Sequence, residues 1–381
     1  MPVNMQKIKI SPELSHLIKA ALHITHDLSF GIYKRPVHWD RLAKLANWHQ
    51  VRPLLFDYIQ QNKLEGIPKK NLQSLHEYSL GQAVTNMAFL GVSLKLYKQL
   101  IENHVPAFLM KGALWAWMLY DKPGNREFGD IDFFIDKDSI KQSLKILSDN
   151  GFEPDHYRSY LLSRMQVARQ YLNTDYQLPL NPINENILQS LEIQWDCSYP
   201  RYCYHFSWTE IASDMTEFSM SGALVKIPGM ENQLLMMMIH HGGVEQWDKL
   251  KYMADFIRLL RLYADKLDWN YISETARKKG FNRLLLESLN AVNIITAEDY
   301  LKYLNPEAPF SPSASFFRNM ISHWENERPA IKTKSWRILL YNLQYRDNWK
   351  IRFSIIAAHL LYISNLQLIW HKIIWYRKNR F

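Results

Sequence analysis

Cysteine is nearly absent: 381 residues contain two, Cys197 and Cys203. Two thiols make neither a disulfide framework nor a four-ligand zinc site. So little cysteine makes a reduced cytoplasm the expected compartment. The chain also lacks H-E-x-x-H and any Cys/His zinc spacing. The adjacent pair His240-His241 does not replace them, because neighbours on a helix point about 100° apart and do not easily face one metal. The opening stretch, MPVNMQKIKISPELSHLIKAAL, has no apolar run of signal-peptide length, so export is not expected. No internal repeat or low-complexity stretch is apparent.

Acidic residues are scarce at one end only. From Arg328 onward there are 11 Lys or Arg and one acid, Asp347, which leaves 35 basic and 36 acidic residues elsewhere. The formal net charge of +9 therefore belongs to the C-terminal tail. The near-neutral remainder argues against a strongly electropositive nucleic-acid groove, and no stable DNA complex is expected. Inside the tail, Phe353 to Trp370 carries no charged residue, with Lys350 and Arg352 before it and Lys372, Arg377, Lys378 and Arg380 after it. The run is near the lower length of a membrane span, but His359, Ser364, Asn365 and Gln367 lower its hydrophobicity. The expectation is a buried or groove-docked helix, ahead of an interfacial helix making peripheral membrane contact and of a span.

What is present is a chain 47% hydrophobic and 22% charged, able to bury a sizeable core and long enough for two or three domains. It is organised around residues 107–136, AFLMKGALWAWMLYDKPGNREFGDIDFFID. Ala107 to Met110 is a short apolar run after Pro106, Lys111-Gly112 ends it, and a helical pattern follows through Leu114, Trp117, Met118 and Tyr120. Asp121 to Gly129 is a Gly/Pro/Asn-rich loop, and Asp130 to Ile135 reads as a strand. Its period of two puts Asp130 and Asp132 on one face, with Ile131, Phe133 and Ile135 on the other. Two neighbouring carboxylates on a half-buried strand repel each other, and a bound hard cation such as Mg²⁺ removes that penalty. Gly112 falls where a strand meets a helix N-terminus, where free N–H groups and the helix dipole favour a phosphate, and Lys111 and Arg126 could add cationic contacts.

This wording, Lys-Gly, then Tyr120, Arg126 and Gly-Asp-Ile-Asp, resembles a branch of largely uncharacterised bacterial nucleotidyltransferases within the DNA polymerase β-like superfamily. The superfamily turn is usually Gly-Gly or Gly-Ser, and Lys111-Gly112 departs from it in a way that suits the branch. The resemblance implies a third carboxylate on a later strand. Leu191-Glu192-Ile193-Gln194-Trp195-Asp196 supplies it as Glu192, with Gln194 where the branch often has His. It further implies catalytic and metal-holding roles for Asp130, Asp132 and Glu192, with Mg²⁺ or Mn²⁺. Nucleotide contacts would come from Lys111, Gly112, Arg126 and His241. The double His followed by a Trp and Asp255, and the helices around Trp39 to Leu55, belong to the same likeness. His49 is expected to be packed or capped rather than to touch substrate.

The fold class expected is α+β: a small mixed β-sheet nucleotidyltransferase core with N-terminal and C-terminal helical segments. Its divisions are expected at 1–103, 104–228 and 229–381. Residues 11–63 read as helices beginning with Ser11-Pro12, and residues 71–103 as one long or two kinked helices, with Gly81 and Gly91 as close-packing points. Tyr157 to Tyr176 is ambiguous, Leu178 to Asn186 reads as a loop, and Thr216 to Pro228 as two short strands about Ser221-Gly222. Met236 to Met238 reads as core. The implied reaction moves an NMP group from an NTP such as ATP to an acceptor that sequence leaves open: a small molecule, a peptide or protein, or an RNA end. The rival readings are a metal-dependent Asp-x-Asp glycosyltransferase and a non-catalytic nucleotide-binding or interaction protein.

Overall fold

Ser11 and Pro12 start the first helix as their residue types dictate. The Ser11 hydroxyl accepts from the Leu14 N–H, and Pro12 opens α1 (Pro12–Leu22), where a missing N–H costs nothing. β1 (Lys9–Ile10) pairs in parallel with β2 (Gly31–Ile32), and α2 (Trp39–His49), α3 (Arg52–Asn62) and the 34-residue α4 (Lys69–Glu102) follow. Next come β3 (Ala107–Met110), α5 (Gly112–Leu119), β4 (Ile131–Ile135), α6 (Ile140–Asp149) and β5 (Phe152–Pro154). α7 (His156–Leu162) and α8 (Met165–Thr174) precede β6 (Gln177–Pro182) and β7 (Leu191–Gln194). α9 (Trp208–Ala212) leads into the hairpin of β8 (Thr216–Met220) and β9 (Ala223–Ile227). The helices beyond it are α10 (Met230–Met237), α11 (Leu250–Tyr263), α12 (Trp269–Lys278), α13 (Asn282–Thr296), α14 (Ala314–Trp324), α15 (Lys334–Tyr345), α16 (Trp349–Ser364) and α17 (Leu366–Lys378). The structure, a computed structural model, describes residues 8–184, 190–304, 310–326 and 334–379. Arg328, Lys332 and Arg380 of the basic tail, and the end of the loop expected at 178–186, lie outside the described residues.

The chain forms an α+β fold in two compact units. The first is Met1–Ala88 with Trp115–Phe128 and Gln233–Tyr345, and the second is Phe89–Leu114 with Gly129–Asn232 and Arg346–Phe381. The second unit holds a five-stranded sheet in the order β3-β4-β7-β6-β5. β4 and β7 run parallel and the other pairs antiparallel, so the sheet is mixed. Alternation sends Leu109, Ile131, Phe133, Ile135, Leu178, Leu180, Leu191 and Ile193 to one fully buried face. On the opposite face, Phe108 and Phe134 stack with Trp208 at 5.7 and 6.2 Å.

The first unit is helical and packs Leu14, Leu17 and Ile18 of α1 with the buried apolar residues of α2 and α3 in its core. His49 is buried, its Nε2 2.9 Å from the Trp324 carbonyl and its Nδ1 accepting from the Leu250 N–H at 3.1 Å. Burial drives its pKa down to about 4, so it is a neutral packing residue. Met236, Met237 and Met238 are fully buried.

Four expectations change. Tyr157 to Tyr176 resolves into two helices, α7 and α8. The expected loop from Leu178 is in fact strand β6, whose Leu178 and Leu180 alternate into the core. Pro179 is tolerated there because β5 is only three residues long and its register stops at Leu180. Gly81 and Gly91 are not close-packing points: both lie within one unbroken α4, and a Cβ on either would meet nothing within 4 Å. The tight approach is at Gly124, where a Cβ would sit 2.9 Å from the Ala83 Cβ. Finally, the apolar run of the tail is not one buried helix. It is split into α16 and α17, bent by 64°, and only Ile355 and Leu368 among their side chains are buried.

The glycines give a test of opposite sign. Gly81→Ala and Gly91→Ala should each stabilise the protein by about 0.5–1 kcal/mol, since an exposed helix interior gains by losing glycine's backbone freedom. Gly124→Ala should destabilise it. Urea unfolding of the three variants reads both signs.

Candidate active site

The acids and the turn meet at one end of the mixed sheet. Antiparallel pairing sets Met110 of β3 opposite Asp132 of β4, and parallel pairing sets Asp132 beside Glu192 of β7. Asp130 lies one residue before β4, half-buried. Lys111 and Gly112 form the turn from β3 into α5, with φ of +50° and +28°. The left-handed region suits Gly112 and is a strained place for Lys111.

The turn puts the Lys111 ammonium among these carboxylates: Nζ is 3.2 Å from Asp132 Oδ1, and both side chains are buried. Gln194, fully buried, donates from Nε2 to Asp132 Oδ1 at 2.8 Å and to Glu192 Oε2 at 3.3 Å. Gln177 donates to Glu192 Oε1 at 3.3 Å. Burial pushes the Asp132 carboxyl up to about 7, with Asp130 and Glu192 adding repulsion and Lys111 opposing it. Burial also raises Glu192. For Lys111, burial works against the charge, but Asp132, Glu192 and Asp130 outweigh it and hold the ammonium protonated.

Among the described residues, no three His, Cys, Asp or Glu side chains form a ready metal cage. The donor set fits a hard divalent cation by its chemistry. Three carboxylates compete for one buried cationic partner, and Asp132 is already pressed toward protonation. Further positive charge supplied at their oxygens relieves both strains.

A protein-family model described as uncharacterised nucleotidyltransferase matches residues 35–296, more than half of the chain. The chain belongs to this nucleotidyltransferase family. No curated protein and no solved structure matches it. In this nucleotidyltransferase Asp130 stands just before β4 and Asp132 is its second residue, with Phe133-Phe134-Ile135 following them.

Arg126 and His241 belong to the first unit, where both side chains are committed to Asp255. Arg126 donates from Nε to Asp255 Oδ1 and from one terminal nitrogen to Oδ2, each at 2.9 Å. Tyr120 donates to Oδ1 at 2.8 Å, and His241 Nε2 lies 3.2 Å from Oδ2. All four side chains are buried. His241 stacks on Tyr252 at 4.4 Å and sits on a wide π-type turn, Met238–Val244. Burial brings its pKa down to about 4, although Asp255 pulls the other way. The neutral ring must then carry its proton on Nε2, facing Asp255, with Nδ1 accepting from His240 Nδ1 at 3.0 Å. Burial would raise Asp255, but Arg126 and His241 overcome it and hold its carboxyl well below the usual range.

Sequence reading passed over Gln177, because two prolines made its strand look like a loop. The period-two placement of Leu178 and Leu180 was the available signal. It also attached no role to Gln194, which ties Asp132 to Glu192, and it assigned Arg126 to the nucleotide without its pairing to Asp255.

The Asp255 cluster generates a stability prediction. Asp255→Asn leaves the Arg126 guanidinium buried without its counter-charge and should cost about 3–5 kcal/mol in denaturant unfolding. His241 binds protons more readily in the unfolded chain than in the native one. Its contribution to stability is therefore intact above about pH 6.5 and falls as pH drops toward about 4. His241→Gln should flatten that part of the stability-against-pH curve.

Proposed function

We propose that this protein transfers an NMP group from a nucleoside triphosphate to a hydroxyl-type acceptor, as DNA polymerase β-like enzymes do. The observation that carries the reading is the Lys111 ammonium held against Asp132 and close to Asp130 and Glu192, at a turn that opens a helix. Such a turn aims the positive end of a helix dipole and a cation at a triphosphate. Asp130, Asp132 and Glu192 would hold Mg²⁺ or Mn²⁺. When bound, the metal supplies charge neutralisation of the triphosphate and lowers the acceptor's proton affinity.

Within this reading Lys111 exchanges its carboxylate partner for a phosphate when nucleotide and metal enter. The acceptor oxygen attacks the α-phosphorus, and the bond from that phosphorus to the bridging oxygen breaks. Pyrophosphate leaves with the bonding electron pair, and the acceptor proton passes to Glu192. A carboxyl pushed up by burial suits that last role, because a base too weakly basic would not take the proton. Gln194 and Gln177 keep Glu192 aimed. Arg126 and His241 were expected to touch the nucleotide. Their bonds to Asp255 suit a positioning role better, fixing the 121–128 loop and the 238–244 turn to α11.

The test is incubation of the protein with each α-labelled NTP, Mg²⁺ or Mn²⁺ and cell extract, followed by location of the label. Label should reach an extract component with matching pyrophosphate release, and Asp130→Asn or Asp132→Asn should abolish it without lowering thermal stability. Turnover by either variant at the wild-type level, with the cation requirement unchanged, would sink the assignment. Glu192→Gln should depress kcat far more than NTP affinity. Lys111→Ala should mainly weaken NTP binding, by about 1–3 kcal/mol for a lost charge-assisted contact. Calorimetric titration with a non-hydrolysable NTP separates the two.

A further inference from the structure

We infer that the C-terminal helix pair α16–α17 docks onto an anionic lipid surface, with its outward apolar stripe embedded and its cations on the headgroups. The pair carries apolar side chains on both its inner and its outer side, and the outer ones are left exposed. On α16 the residues packed toward the second unit include Arg352, Ile355, His359 and Tyr362. Arg352 donates to the Arg346 carbonyl, His359 meets Tyr202 edge-on at 5.2 Å, and Arg201 lies 5.0 Å from the Tyr362 ring. The outward stripe is Trp349, Phe353, Ile356, Leu360 and Ile363, at spacings of four, three, four and three, which keep one helix face. α17 repeats this with Leu366, Trp370 and Ile373 outward, while His371 and Trp375 pack on Tyr160. Phe353, Leu360 and Leu366 are 66, 63 and 75% exposed. A surface helix normally turns its polar face out, so a stripe of this kind marks a binding face.

Charge identifies the occupant. Residues 349–379 contain no Asp or Glu, and Lys350, Arg377 and Lys378 are exposed near the two ends of the pair. A second copy would bring cations with no acid to meet them. A nucleic acid would need cations along the face, where Ile and Leu stand instead. An anionic bilayer matches both features: acyl chains for the stripe, headgroups for the basic ends, and an interfacial level suited to Trp349, Trp370 and Tyr376. Among the described residues no single helix is long and apolar enough to cross a membrane. The 64° bend and the anchoring of the inner face suit a pair lying in the interface.

The test is flotation of the full chain with phosphatidylcholine vesicles, with and without phosphatidylglycerol. The wild type should float with the anionic vesicles. Phe353→Ser with Leu360→Ser, exposed changes whose folding is checked by an unaltered thermal melt, should weaken that binding by at least about tenfold. Lys350→Glu with Arg377→Glu and Lys378→Glu should weaken it by a similar factor on anionic vesicles and leave the weak binding to neutral ones unchanged. Three results would overturn the inference: failure of the wild type to float with either vesicle; a dimer in light scattering that the serine variant disperses; or salt-sensitive RNA binding with no vesicle binding.

Discussion

A charge taken out of water has to be met by another, and in the second unit this requirement is concentrated on Lys111. Its ammonium is buried against Asp132, and the charges of Asp130 and Glu192 bear on it too. The surrounding backbone serves this arrangement. The register of β3 on β4 and the parallel pairing of β4 with β7 bring Met110, Asp132 and Glu192 level. The turn through Lys111 and Gly112 accepts a left-handed backbone to deliver the ammonium there. Among the described residues Lys111 is the one cation hydrogen-bonded within this set of carboxylates, and Asp132 shows the imbalance as a carboxyl pushed up to about 7 by burial and its acidic neighbours. Further positive charge at these oxygens would relieve that imbalance.

The first unit solves the same problem in the opposite way. Asp255 is buried with donors from Arg126, Tyr120 and His241, and its carboxyl is held well below the usual range. Here the buried acid is met by its donors, which makes the cluster a brace that ties the 121–128 loop and the π-type turn 238–244 to α11. Two buried acids in one chain thus sit at opposite ends of the titration scale: Asp132 is under-compensated, whereas Asp255 is compensated by a bidentate guanidinium.

The tail adds a third kind of imbalance, apolar rather than ionic. Arg346 fixes its start by donating to the Tyr202 and Cys203 carbonyls at 2.5 and 3.0 Å, and aromatic contacts hold the inner faces of α16 and α17. Among the described residues, the outer faces have no protein partner of comparable kind to cover their Ile, Leu and Trp side chains.

By itself the sequence determined the Lys-Gly turn and the strand that carries Asp132, because those signals are local: a period of two, a glycine at a strand end and an N-cap are written within a few residues. It also determined the α+β class, since the short strands and the long helical stretch differ in periodicity. Only the tertiary structure decided what depends on partners far along the chain. Pro179 lies in a strand because β5 happens to end before reaching it. Arg126 points to Asp255, 129 residues away, and no local pattern records that pairing. Gly81 and Gly91 stand free while Gly124 is pressed on Ala83, since close approach is a property of the packed helix and loop rather than of glycine. The apolar run of the tail faces outward for the same kind of reason. Composition sets how apolar a helix is, but the contacts that reach its other side decide which face is left over.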